Sequence, residues 1–147
     1  MEPLDLRTRA PRRCHAELDG LMLLPRTIDN LRAQLPGGNA GGYFINGRIK
    51  GISGYLLERL GITESELRQA VARAGTEDDV AAWLRERVDP SEYPAINATL
   101  RRIRPKHAED EAYFRRAYAA TMARHPDLEF IIDIVDADDD LVFGRLE

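Results

Sequence analysis

Cysteine is almost missing from this 147-residue chain: Cys14 is the only one. A lone thiol excludes an internal disulfide and any multi-thiolate metal site. Histidine is nearly as scarce. His15, His107 and His125 stand far apart, and no His-x-x-x-His pair sets two ligands on one helical face. The serines are Ser53, Ser65 and Ser91 alone, none in a Gly-x-Ser-x-Gly elbow. No apolar run approaches the roughly 18 residues that a membrane span needs, and no basic, apolar, small-residue leader opens the sequence. A cytoplasmic location is the default expectation. There is no internal repeat and no low-complexity tract.

What remains is an ordinary globular composition, 44% hydrophobic and 31% charged. The length suits one domain spanning 1–147, large enough to fold around its own core. The net charge of −4 conceals an asymmetry. The terminal segment, residues 127–147, holds eight acids against Arg145 alone, which leaves the rest of the chain net basic. Lysine is limited to Lys50 and Lys106, so 19 of the 21 basic residues are arginines. Arginine meets carboxylates through a planar fork of donors. The acidic end is therefore expected to fold back on an arginine-rich body.

Residues 1–20 lack periodicity and contain Pro3 and Pro11, which reads as an extended arm. Leu21, Leu24, Ile28, Leu31 and Leu35 then mark one face of a first helix, stopped by Pro36-Gly37-Gly38. A glycine-rich loop leads to a short extended piece near 43–49, closed by Asn46-Gly47. Further helices are expected from Ser53 to Gly61 and, with capping-box spacing, from Thr63 and Thr76. Others run from about Ser91 to Ile103 and from about His107 to Arg124. Residues 128–136 carry strand propensity but helical periodicity. As a helix, Leu128, Ile131, Ile132 and Val135 share one face and Asp133, Asp136 and Asp140 the other. The helix separates the two classes better and is the choice here. The expectation is a mainly α, single-domain bundle of about six or seven short helices.

Most catalytic templates fail on these residues. Cys14 adjoins His15, but sequence neighbours rarely bring thiol and imidazole into bonding geometry. The loop Gly37 to Gly42 lacks both phosphate-loop spacings and follows a helix, not a strand. Asp136, Asp138, Asp140 and Glu147 imitate a calcium loop, but Leu141 stands where the tight turn requires glycine. Two basic clusters, Arg7-Arg9-Arg12-Arg13 and Arg101-Arg102-Arg104-Lys106, have no interleaved aromatics. Nucleic acid is thus a disfavoured partner. Arg26, Asp29, Asn30 and Ala33 lie off the apolar stripe of the first helix, with Arg26 and Asp29 spaced to pair locally.

Gly20 to Ala33, with Leu24-Pro25-Arg26, Asp29, Arg32-Ala33 and the turn from Gly37 to Tyr43, resembles the opening motif of a bacterial family, domain of unknown function 5069. The likeness continues through Leu60-Gly61-Ile62 and Trp83-Leu84 and resumes at Asp133, Asp136, Asp138, Asp139, Phe143 and Gly144. Asn30 stands where that family usually has lysine, and Arg12-Arg13-Cys14 where it has proline-arginine-serine. The resemblance implies a bacterial source, supports the fold reading and brings no activity with it.

The reading that follows is a small intracellular binding module. Its polar pocket would form where the first helix meets the acidic C-terminal segment, with Arg26, Asp29, Asp133, Asp136 and Asp139 as the ligand-binding set. The ligand would be a small polar molecule or a partner protein's charged group, with no cofactor called for. The alternative is an enzyme using aspartates as acid and base or as divalent-metal ligands, with Asp136, Asp138 and Asp139 as weak metal candidates. A third reading is a nucleic-acid-associated adaptor built on the basic clusters.

Overall fold

Thr63 and Thr76 show how directly local chemistry sets the helix ends. Each hydroxyl accepts from the N–H three residues on, while Glu66 and Asp79 accept from the threonine N–H groups in return. Two helices, α3 (Glu64–Arg73) and α4 (Glu77–Arg85), therefore begin where the capping-box spacing places them. They belong to a computed structural model that describes residues 1–144. Arg145, Leu146 and Glu147, the last of these position 12 of the imitation calcium loop, lie outside the described residues.

The remaining described elements are a hairpin of β1 (Glu17–Leu18) and β2 (Leu21–Met22), then α1 (Leu24–Ala33), α2 (Ile52–Leu60), α5 (Tyr93–Arg101), α6 (Glu111–Ala117), α7 (Ala119–Arg124) and α8 (Ile131–Phe143). The protein is mainly α, as periodicity indicates. Leu21 and Met22 pair with Leu18 and Glu17 across Asp19-Gly20 before α1 begins. Both turn residues have positive φ, 56° and 80°, as a two-residue type I′ hairpin requires.

Several boundaries differ from expectation, each for a local reason. Ser53 does not cap α2: it lies inside the helix, buried, with its hydroxyl 2.8 Å from Thr27 Oγ1. Asp89 caps a 3₁₀ turn over Pro90–Glu92, so α5 starts at Tyr93 and not Ser91. The helix expected over 107–124 breaks at Tyr118 into α6 and α7, giving eight helices among the described residues. The piece near 43–49 forms a single bridge between Asn46 and Lys50 and no strand; the short sheet lies earlier, at 17–22. Residues 131–143 are helical, so side-chain periodicity overrides the strand propensity of the Ile-Val run.

The N-terminal segment runs over the body. Leu6 and Cys14 are fully buried, and Leu6 and Leu4 exchange backbone bonds of 2.8 and 2.9 Å with Asn39. Gly41 makes this crossing possible, because a Cβ there would stand 2.5 Å from the Leu6 carbonyl oxygen. One apolar core runs from Cys14 through α1–α5 to Val135 of α8. Among the described residues no helix is long and apolar enough to cross a membrane.

Asn97 of α5 fastens the hairpin to this core. Its Oδ1 accepts from Met22 N–H at 2.9 Å and its Nδ2 donates to the Gly20 carbonyl at 2.8 Å. Truncation would leave both backbone groups unpaired, at about 1–3 kcal/mol each. Asn97→Ala is therefore expected to lose about 2–4 kcal/mol of unfolding free energy in urea titration. A loss below about 0.5 kcal/mol would contradict this role.

Candidate functional site

Arg26 emerges from the first turn of α1, the positive end of the helix dipole, where a cation is disfavoured. It is also only 3% exposed. Both features demand a partner, and α8 supplies it. Arg26 Nη1 donates to Asp139 Oδ2 at 2.7 Å and to the Arg12 carbonyl at 3.1 Å. The Tyr43 hydroxyl donates to the other oxygen, Asp139 Oδ1, at 2.6 Å, and its ring lies 5.6 Å from the guanidinium. Burial, followed by the bond to Asp139, pushes the Tyr43 phenol above its ordinary value. The first and last helices thus meet through a buried ion pair that also anchors the end of the glycine-rich loop.

This pair lies in the lining of a cleft of about 580 Å³. Ile49, Ile52, Phe114, Ile131, Val135 and Val142 give apolar surface, and Tyr43, Tyr55, Tyr113 and Tyr118 add rings with polar tips. Asn30, one turn beyond Arg26 on α1, lines the same cleft; it is 4% exposed and its Oδ1 has no hydrogen-bond partner. Asp138 also faces the cleft and accepts from Thr121 Oγ1 at 2.8 Å. Burial pushes the Asp138 carboxyl up, the Thr121 bond pulls it back, and the Asp139 charge pushes it up again. Tyr118 is pushed up to about 12, by burial first and by Asp138 next.

The five residues read from sequence as one ligand set divide between four places. Arg26 and Asp139 line the cleft. Asp29 does not pair with Arg26 but faces the N-terminal segment. Its carboxylate accepts from Arg12 N at 2.8 Å, Nε at 3.1 Å and Nη2 at 3.0 Å. Asp133 bonds His15 Nε2 at 2.9 Å, at the surface. Asp136 is buried under the Cys14 N–H, which donates to it at 2.9 Å; burial pushes its carboxyl up against that bond. The weak metal candidates Asp136, Asp138 and Asp139 each turn to a different donor. Among the described residues no three His, Cys, Asp or Glu side chains form a group that could hold a metal. Asp136, Asp138 and Asp140 sit within the helix α8, not in a loop.

Several lining residues escaped the sequence reading. Asn30 carried a signal, being off the apolar stripe and four residues from Arg26. Tyr43 closes the glycine-rich turn but had no visible partner 96 residues away. Phe114, Ala117 and Tyr118 share one side of the helix expected over 107–124, a spacing that does not tell a core face from a cleft face, and Tyr113 carries no signal of its own.

Of the N-terminal basic cluster, Arg7 and Arg9 are exposed, while Arg12 and Arg13 are half-buried against acids of the body. Arg12 also reaches Glu77, and Arg13 Nη2 lies 2.9 Å from both Asp140 oxygens. Cys14, between these residues and Asp136, is fully buried. Burial raises its thiol well above the ordinary value although the Arg26 charge pulls the other way. The folded protein is expected to resist iodoacetamide at neutral pH and to label fully once unfolded in urea. Rapid labelling of the native chain would contradict the placement of this thiol.

No curated protein matches the chain. A family model does, over residues 8–141, a span that includes the Arg26 turn, the loop to Tyr43 and the aspartates of α8 up to Asp140. The chain belongs to the family described as a domain of unknown function, DUF5069.

Proposed function

We propose that this chain is a small cytoplasmic bacterial protein that binds an organic small molecule between α1, the loop after it, α6 and α8. One observation carries the reading. A cleft of about 580 Å³ combines apolar walls with buried polar groups, among them the unpartnered Asn30 Oδ1. Ligand pockets commonly occupy about 300–1,000 Å³ and use a few fixed polar groups within apolar surroundings. Arg26, Asp139 and Tyr43 are bonded to one another and so act as a rigid base. Asp138, bonded only by the Thr121 hydroxyl, retains accepting capacity for a ligand.

A second reading has one observation in its favour. Asp138 is a cleft carboxyl raised by burial, the property of a general acid or base near neutral pH. An enzyme would change the mass of what it binds, whereas a binding module would release it intact. The adaptor reading is weakened by the engagement of Arg12 and Arg13 with Asp29, Glu77 and Asp140.

Ala117 lines the cleft from the exposed end of α6, so Ala117→Trp adds bulk to the cleft without removing a core side chain. The natural chain, incubated with fractions of a bacterial metabolite extract, is expected to melt several degrees higher in at least one fraction. Saturation at a hundredfold excess over Kd supplies about 2.7 kcal/mol. Ala117→Trp should lose that shift. Absence of any shift, or an equal shift in the filled variant, would overturn the proposal.

A further inference from the structure

The cationic side chains at the cleft are all engaged within the protein. Arg7 is held by Asp5 at 2.8 Å and Lys50 by Glu58, while Arg26 is held by Asp139. Arg48, nearby, stacks 4.8 Å from the Tyr113 ring. Asp138 has no such counterpart: its hydrogen bond comes from the neutral Thr121 hydroxyl, and among the described residues no cation pairs with it. Arg26 is near enough to act on Asp138 electrostatically, but its guanidinium is committed to Asp139 and the Arg12 carbonyl. Asn30 lines the same cleft with a side chain that is 4% exposed, its Oδ1 enclosed and without a donor. The cleft thus presents a carboxylate that no cation of the described residues occupies.

Aromatic rings stand near this carboxylate. Tyr43 and Tyr118 both lie close enough to Asp138 to feel its charge. Phe114 packs on Tyr118 with ring centroids 4.6 Å apart. Ring faces attract cations through their quadrupole, and the attraction grows where water is excluded. A carboxylate beside them adds a charge-assisted bond to any N–H donor. A carboxylate or phosphate ligand would meet Asp138 with the same sign of charge.

We propose, on the basis of the binding reading above, that the ligand carries a primary ammonium group on a compact apolar or aromatic body. The head lies against Asp138 and is flanked by Tyr43 and Tyr118. The body fills the apolar part of the cleft between Ile52, Phe114 and Val135.

Three probes of one shape and different charge test this by calorimetric titration: phenethylammonium, phenethyl alcohol and phenylacetate. Phenethylammonium is expected to bind about tenfold or more tightly than the alcohol, with phenylacetate weakest. Asp138→Asn keeps an acceptor for Thr121, so it should retain the melting temperature. It should lower ammonium affinity about tenfold and leave the alcohol within about twofold. Equal or tighter binding of the alcohol or phenylacetate, blocked by Ala117→Trp, would overturn the charge assignment while leaving the cleft as a binding site. Silence from all three probes would also overturn it. Combined with a silent metabolite screen, that result would remove the binding reading as well.

Discussion

A guanidinium and a carboxylate 2.7 Å apart, almost out of contact with water, tie the first helix of this protein to its last. Neither charge is tolerable there alone, because desolvating an unpaired ion costs several kcal/mol. The pair therefore acts as a constraint on everything near it. The first turn of α1 must touch the third turn of α8, and 113 residues of chain must close around that contact. Tyr43 takes the second oxygen of Asp139, which fixes the end of the glycine-rich loop. The Arg12 carbonyl takes a second donor from Arg26, which fixes the N-terminal segment. Four separate stretches of sequence thereby meet at one ion pair.

The cleft is a consequence of this geometry. Polar groups occupied by the anchor lie at its base, and apolar residues of α2, α6 and α8 line the rest. The other arginines follow a related logic. Arg12 secures Asp29 through three hydrogen bonds, and Arg13 secures Asp140. Helix α8 accordingly lies against the N-terminal segment, with Asp140 on Arg13, Asp136 under the Cys14 N–H and Asp133 on His15.

The sequence was legible where one short rule decided the outcome. Capping boxes placed α3 and α4, and periodicity chose helix for α8 over its β-branched composition. It was less legible where two rules competed. Leu21 fits the apolar spacing of α1, yet Asp19-Gly20 is a hairpin signal and captured it for a strand. Ser53 has cap chemistry, but a buried bond to Thr27 drew it inside α2. At the site, charge pattern pointed to an acidic end against an arginine-rich body without saying which arginine meets which aspartate. The register of α8 against α1 decides that, placing Asp139 on Arg26, Asp136 under Cys14 and Asp133 at His15. Asp29 was assigned to the wrong neighbour because its partner, Arg12, lies 17 residues earlier in a segment without periodicity. The aromatic lining was hidden for a related cause: a ring facing a cleft and a ring facing a core have the same helical spacing.

The central claim is that Arg26 and Asp139 stabilise the fold as a pair and not as two independent groups. A double-mutant cycle in urea with Arg26→Gln, Asp139→Asn and the double variant measures this directly. Each single change is predicted to cost about 3–5 kcal/mol by leaving the other charge buried and unpaired. The double variant should then lose less than the sum by about 2 kcal/mol or more. Additive losses, with a coupling energy within about 0.5 kcal/mol of zero, would contradict the account.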